Sequence, residues 1–240
     1  MLNQLAQILE VSHKILFFTG AGISVPSGIP DFRSSRGIYH QGQYRGYEPE
    51  EIISHSFFIA HGEAFYEFYK DKMMYLSARP NPAHEFIARL EKEGKSLGVI
   101  TQNIDGLHQM AGSKNVVELH GSIHRNYCQK CGKAYEAYYV KESTGVPKCS
   151  CGGTIKPDVV LYEEPLDTEM LEKAVRLIGE ADCLIVIGTS LLVNPAAALV
   201  SYFRGRYFVI INRSSTPYDY RADLVINDDI VKVVEALKTK

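Results

Sequence analysis

At 240 residues, with 45% apolar and 22% charged residues, the chain has the composition of a soluble globular protein, long enough for one large domain or a main domain with a small insertion. Its formal net charge of -2 excludes a broadly basic surface, so nucleic acid is not the default partner. No apolar stretch approaches the roughly 20 residues that span a bilayer, and the start "MLNQLAQILEVSHK" lacks the basic-then-apolar pattern of a signal peptide. A cytoplasmic protein without membrane attachment is the expectation.

In chain order, residues 2 to 10 carry Leu2, Leu5, Ile8 and Leu9 at helical spacing. "KILFF" at 14 to 18 then reads as a buried parallel strand, and "TGAGIS" follows it. Residues 31 to 79 are rich in aromatics and glycine and suggest a loop followed by extra helices. Asn81 and Pro82 announce a helix over 82 to 92, an N-cap with proline at the first helical position. "LGVI" at 97 to 100 is a second strand, followed by "TQNIDG". After a cysteine-rich stretch come "CLIVI" at 183 to 187, a helix over 195 to 203, "YFVII" at 207 to 211 and a helix over 229 to 238.

This alternation predicts an α/β fold, a Rossmann-like doubly wound parallel sheet. The polar segments after each strand would converge at the carboxyl edge, where such sheets bind ligands. Residues 1–30, 80–123 and 160–240 are assigned to the sheet domain. Residues 31–79 and 124–159 are assigned to a smaller inserted module, helical plus zinc ribbon.

Four of the five cysteines lie in that module: Cys128-x-x-Cys131, 17 residues, then Cys149-x-Cys151. The spacing is close to a zinc ribbon, in which two turns each offer two thiolates to a tetrahedral ion. The second pair is one residue short, but Gly152 and Gly153 follow at once and let the turn distort. Four thiolates close the coordination sphere, so the zinc would be structural; His120 or His124 remains open as a substitute ligand. Cys183 sits in an apolar run and reads as a core thiol.

"TGAGIS" resembles a dinucleotide-binding turn, with Gly20 and Gly22 admitting a pyrophosphate at a helix N-terminus. Val25 stands where the third glycine of the dehydrogenase fingerprint would be, and no acidic residue obviously ends a second strand about 20 residues on. A generic dehydrogenase is therefore a poor match.

Taken together, "GAGISVPSGIPDFRS" at 20 to 34, "TQNIDGLHQMAG" at 101 to 112, "ELHGS" at 118 to 122, "GTSLLVNPAA" at 188 to 197 and the cysteine module resemble the sirtuin family of bacterial type, the NAD-dependent protein deacylases. The resemblance covers nearly the whole chain. It implies that the sheet domain binds NAD as co-substrate, that one zinc ion is structural, and that acetylated-lysine proteins or peptides enter the cleft between the two parts. Ala21, Gly22, Val25, Phe32 and Arg33 would line the cofactor loop, with Arg33 on phosphate because its planar fork donates two hydrogen bonds. Asp31 would stabilise that loop.

By the same resemblance Gln102, Asn103, Ile104 and Asp105 form the nicotinamide pocket, Asn103 standing with His120 as a catalytic residue. Thr189, Ser190, Asn212 and Ile230 would contact the adenosine half. The acyl oxygen would attack C1′ of the nicotinamide ribose and release nicotinamide, with neutral His120 as general base on a ribose hydroxyl. Water would then release lysine and O-acetyl-ADP-ribose.

"KPDVVLYEE" at 156 to 164 would add the peptide as an extra strand, with Val159, Val160, Leu161 and Tyr162 walling the lysine tunnel. Glu163 departs from the family, where glycine is common. The Tyr and Arg pair of relatives preferring succinyl or malonyl lysine does not follow "PDFRSSRG", so acetyl-lysine is the expected substrate group. A monomer without a specific nucleic-acid partner is expected. The competing readings are a mono-ADP-ribosyltransferase or longer-chain deacylase of the same fold and, from another class, a zinc-ribbon binding module.

Overall fold

The computed structural model describes residues 1 to 238. Its strands are β1 (Ile15–Thr19), β2 (Ser96–Thr101), β3 (Val116–Glu118), β4 (Gly121–Cys128), β5 (Ala134–Glu136), β6 (Ile155–Val159), β7 (Cys183–Ile187), β8 (Tyr207–Ile211) and β9 (Leu224–Ile226). Six of them form one parallel sheet in the order β3-β2-β1-β7-β8-β9. That is the doubly wound order, and chain direction across the sheet reverses between β1 and β7. Every residue of β1 and β7 is buried, which explains their unbroken apolar sequences.

Side chains alternate between two cores. Phe17, Val99, Ile185 and Val209 pack under α1 (Leu2–Val11), α5 (Pro82–Lys92) and α9 (Ile230–Lys238). Leu16, Phe18, Leu184 and Ile210 face α8 (Thr168–Glu180) and a 3₁₀ helix at Ala196–Tyr202. Helix α5 begins as expected: Asn81 accepts from the Ala83 amide at 3.0 Å, and the His84 ring accepts from the Asn81 amide at 3.3 Å, a cap worth about 1 kcal/mol.

Three features differ from the sequence reading. Helix α8, capped by Asp167 and burying Ala174, Leu177 and Ile178, was not anticipated. The helix expected over 195 to 203 is a 3₁₀ helix. The glycine turn after β1 opens no α-helix: two 3₁₀ turns, Ala21–Ile23 and Val25–Ser27, follow, and Gly28 closes them at φ 86°.

A third core joins the remaining elements: α2 (Pro49–Ile52), α3 (His55–Ala60), α4 (Gly62–Lys72), α7 (Ala137–Glu142) and the antiparallel sheet β5-β4-β6. Its aromatics interlock, with Phe65 stacked on Tyr69 at 5.7 Å and edge-on to Phe58 at 5.0 Å. Short α6 (Leu107–Met110) follows β2. Among the described residues no helix is long and apolar enough to cross a membrane.

Candidate active site

Two loops meet at the point where the sheet order reverses. A Cβ on Gly22 would lie 2.7 Å from Gly188 Cα, and one on Gly20 would lie 2.7 Å from Thr189 Cβ. Both glycines are therefore demanded by the close approach of the β1 and β7 loops. Gln102 ties β2 to the same point, its backbone N–H donating to Thr19 O at 2.9 Å and its side-chain amide to Thr189 Oγ1 at 3.0 Å.

His120 follows β3, where the chain turns into β4 through Gly121 at φ 75°. A Cβ on Gly121 would sit 1.9 Å from Asp158 O. The His120 carbonyl accepts from the Val160 amide at 3.0 Å, and ring Nδ1 lies 2.9 Å from Gln102 O. A carbonyl only accepts, so Nδ1 carries the proton and Nε2 keeps its lone pair. Burial pushes the ring's pKa below its ordinary value, against the opposing pull of the Gln102 carbonyl. His120 is thus a neutral imidazole with an unprotonated Nε2, the form a general base needs.

Between β2 and α6 the loop 102 to 106 is knotted by side chains. Asp105 Oδ1 accepts from the Leu107 amide at 2.9 Å and Oδ2 from Ser24 Oγ at 2.7 Å. Asn103 Nδ2 donates to the same Ser24 oxygen at 3.1 Å. That bond settles the amide: Oδ1 of Asn103 is the end left over for another donor. Burial raises the Asp105 carboxyl above its ordinary value, while the Leu107 and Ser24 bonds oppose it. His124 Nε2 donates to Asp105 O at 3.0 Å and lies over Gly106, whose Cβ would fall 2.8 Å from the ring.

The loop after the 3₁₀ turns closes on itself, Asp31 Oδ1 accepting from the Ser34 amide at 2.8 Å and Asp31 O from Ile38 N at 2.8 Å. Phe32 packs on Tyr39 at 5.4 Å, and the Arg33 guanidinium lies 5.1 Å over the Tyr39 ring. Arg33 Nη2 donates to Tyr162 Oη at 3.0 Å, and Tyr39 Oη is also 3.0 Å from that oxygen.

Residues 159 to 162 alternate in direction: Val159 and Leu161 are buried in the third core, whereas Val160 is half-buried and Tyr162 exposed. The amides of Val160, Leu161 and Tyr162 already donate to His120 O, Glu164 Oε2 and Ile53 O. Glu163 adopts φ 74°, the left-handed region that costs a non-glycine residue about 1–2 kcal/mol. Its carboxylate accepts from both the Ser56 amide and hydroxyl at 2.9 Å, at the first turn of α3.

The four sulfur atoms of Cys128, Cys131, Cys149 and Cys151 all lie within 4.8 Å of one another, with Cys128···Cys151 at 3.5 Å and Cys131···Cys149 at 3.6 Å. Tetrahedral zinc with Zn–S near 2.3 Å sets its sulfurs about 3.8 Å apart, so the quartet fits. The shorter Cys-x-Cys arm is accommodated by Gly152 at φ 80° and by Gly153, where a Cβ would lie 2.6 Å from Cys128 Sγ. Among the described residues the cluster consists of these four cysteines and includes no histidine.

A sequence model described as the Sir2 family matches residues 20 to 195. A curated NAD-dependent protein deacetylase of Clostridium acetobutylicum is 55% identical over 98% of this chain and 97% of its own length. One of Staphylococcus aureus is 46% identical over 100% and 98%. Among solved structures, Sir2 with a p53 peptide and NAD+ superimposes with a TM-score of 0.88 at 40% identity, covering 100% of this chain and 98% of that one. Sir2 bound to acetylated peptide gives 0.87 at 39% identity, with coverage of 100% and 98%.

The chain belongs to the Sir2 family.

In this Sir2-family fold the anticipated residues fall into three groups. His120, Gln102, Asn103, Asp105, Gly22 and Thr189 gather at the reversal of strand order through the bonds above, with half-buried Ala21, Val25, Ile104 and Ser190 on the same loops. Phe32 and Arg33 stand on the neighbouring loop, Phe32 against Tyr39 and Arg33 bonded to Tyr162. Asn212 follows β8, its Nδ2 spent on Ser214 O at 2.8 Å, and Ile230 opens α9 only 6% exposed, packed in the first core. Ser24, His84 and His108 were missed. A serine inside a glycine turn and histidines in apolar helix patterns carry no spacing signal of their own.

Proposed function

We infer that the chain is an NAD-dependent protein-lysine deacetylase, transferring the acetyl group of acetyl-lysine to ADP-ribose and releasing nicotinamide and O-acetyl-ADP-ribose. The observation that carries this reading is His120, a neutral imidazole whose Nδ1–H is committed to Gln102 O, set beside a loop whose polar side chains are already oriented. When bound, NAD supplies an anomeric carbon that exchanges its bond to nicotinamide for one to the acyl oxygen. His120 Nε2 takes the proton of a ribose hydroxyl. Asn103 and Asp105 offer acceptors to the carboxamide and ribose, and Arg33 offers its fork to phosphate.

Thr189, Ser190, Asn212 and Ile230 are assigned to the adenosine half, Ile230 through the little surface it leaves. Val160 and Tyr162 face the acyl-lysine, with Val159 and Leu161 behind them as support. A strand-adding peptide would pair from Glu163 onward, because the three preceding amides are spent inside the protein. Cys128, Cys131, Cys149 and Cys151 hold one zinc ion that closes the inserted module. The sheet domain is assigned residues 1–30, 80–123 and 160–240, and the module 31–79 and 124–159. A cytoplasmic site of action is part of the reading.

Incubation with NAD and an acetyl-lysine peptide tests it. Nicotinamide, deacetylated peptide and O-acetyl-ADP-ribose should form in equal amounts. Label from NAD retained on protein would instead identify mono-ADP-ribosyl transfer, and absence of NAD binding would reduce the chain to a zinc-ribbon binding module.

A further inference from the structure

Two histidines that touch none of the proposed reacting groups lie buried behind the pocket loop. His84 is 0% and His108 1% exposed, and their rings meet edge to face at 4.9 Å. A pair of imidazoles withdrawn from water is costly unless its nitrogens are used. Tracing Nε2 of each ring leads to the same residue, Asn103.

His84 Nδ1 accepts from the Asn81 backbone N–H at 3.3 Å, so in the neutral ring the proton sits on Nε2. Nε2 faces Ser24 Oγ at 3.5 Å, the longest link of the chain. The single proton of Ser24 goes to Asp105 Oδ2 at 2.7 Å, and its oxygen accepts from Asn103 Nδ2 at 3.1 Å. The imidazole N–H and the Asn103 amide thus fill the two acceptor sites of one hydroxyl and leave its proton a single direction.

His108 runs a parallel chain. Its Nε2 is 3.0 Å from Thr19 Oγ1, which donates to Thr101 Oγ1 at 2.9 Å, and Thr101 Oγ1 accepts the Asn103 backbone N–H at 3.0 Å. Among the described residues His108 Nδ1 has no partner. A buried orphan N–H is rarer than an under-satisfied acceptor, so the proton belongs on Nε2, where Thr19 receives it. Burial lowers the pKa of both rings, His84 to about 4 and His108 well below its ordinary value, in keeping with uncharged rings.

We propose that His84 and His108 are positioning residues that fix Asn103 from two sides, His84 through Ser24 to its side-chain amide and His108 through Thr19 and Thr101 to its backbone N–H. The two chains hold the amide with Nδ2 turned inward and Oδ1 free, and they hold the backbone at the exit of β2. This deepens the deacetylase reading and rests on it, since Asn103 matters to turnover only if the loop is the nicotinamide pocket.

The test combines a spectroscopic and a kinetic measurement on the full chain. In ¹⁵N-imidazole-labelled protein at pH 7, His84 and His108 should both be neutral with the proton on Nε2, whereas His120 should carry it on Nδ1. A proton on Nδ1 of either buried ring, or a charged ring, overturns the proposal. In the kinetic arm, His84→Gln and His108→Gln keep an N–H donor near Nε2, while His84→Leu and His108→Leu remove it. The leucine variants should lose on the order of 10- to 100-fold in kcat, with KM for the acetyl-peptide within about 2-fold, as misplacement of a pocket residue predicts, and glutamine should restore most of it.

Thr19→Val, of the same shape, cuts the second chain without touching a histidine and should lower kcat in the same way should a leucine variant fail to fold. Wild-type turnover with unchanged kcat in Thr19→Val and the leucine variants, or with glutamine no better than leucine, overturns the positioning role. A wild-type chain that consumes no NAD with acetyl-peptide overturns the deacetylase reading instead, and the tautomer measurement still judges the two chains.

Discussion

Tyr162 Oη and Arg33 Nη2, 129 residues apart in sequence, share a hydrogen bond of 3.0 Å. It joins the segment assigned to the acyl-lysine to the loop assigned to the cofactor, and Tyr39 completes the clasp on the same hydroxyl. Tyr162→Phe keeps the ring and removes the bond. A hydrogen bond to a charged donor contributes about 1.5–3 kcal/mol when buried, and less at this exposed position. We expect KM for NAD to rise about 2- to 5-fold with kcat changed less. An unchanged KM for NAD, measured at saturating peptide, would show that the clasp does not position the loop.

His120→Ala should abolish turnover and leave zinc content at one ion per chain, because the ring lies outside the sulfur cluster. Metal analysis of the purified variant separates the two roles, since loss of zinc would place the ring in the metal site. The pH dependence follows from the same geometry. Burial lowers the His120 pKa below 6.5, so the neutral base persists into mild acid and the acid limb of kcat/KM should fall below pH 6.5. A limb centred above pH 7 would mean a different base.

Much of this was readable in the chain. "KILFF" and "CLIVI" are continuous apolar runs because both faces of those strands are covered, and the quoted motifs carried His120 and the 102–105 loop into one place. Other features depend on contacts that spacing does not encode. Ser24 becomes a hub only because residues 103, 105 and 84 are folded against it. The run of residues 159 to 162 reads in sequence as one wall, but the two-residue period of an extended chain turns Val159 and Leu161 into the core. The turn after β1 is shaped by Pro26 and Gly28 into 3₁₀ geometry, a choice that the glycines at 20 and 22 did not announce.

Gly121 opens β4 directly after His120 and lies against Asp158 of β6. Its φ of 75° and the 1.9 Å separation of an added Cβ from Asp158 O leave no room for alanine. Gly121→Ala must push β6 away from His120, at a cost of several kcal/mol by the strain and overpacking scales. We expect a drop of 10 °C or more in Tm, and turnover should be lost even at temperatures where the variant stays folded. Retained activity in a folded variant would show that the turn does not position the ring.

Gly153→Ala tests the metal fit without touching a ligand. The new methyl would meet Cys128 Sγ at 2.6 Å and Lys130 Cβ at 2.7 Å, crowding the side of the cluster where the short Cys149-x-Cys151 arm closes. All four thiols remain, so total thiol titration should be unchanged while zinc affinity falls about 10-fold or more, as measured by competition with a chromogenic chelator. Cys151→Ser should bind zinc more weakly still, since it removes one of the four thiolates that close the tetrahedral site. Equal zinc affinity in Gly153→Ala and wild type would refute the packing argument.

The buried histidines also set the acid stability of the fold. His84 is held at about 4 by burial, against 6.5 for the free side chain, and His108 is shifted in the same direction. Between those values the unfolded chain binds a proton that the folded chain refuses, so stability is fully present above pH 6.5 and falls as pH drops toward 4. For His84 alone the loss is about 2 kcal/mol by pH 5 and about 3 kcal/mol by pH 4, and His108 adds to it. The urea midpoint should therefore fall steeply between pH 7 and pH 5, well before carboxylate protonation contributes. His84→Gln, which has no proton to take up, should flatten that slope by about 2 kcal/mol over the interval, and an unchanged slope would mean that the ring titrates in the fold as it does in the unfolded chain.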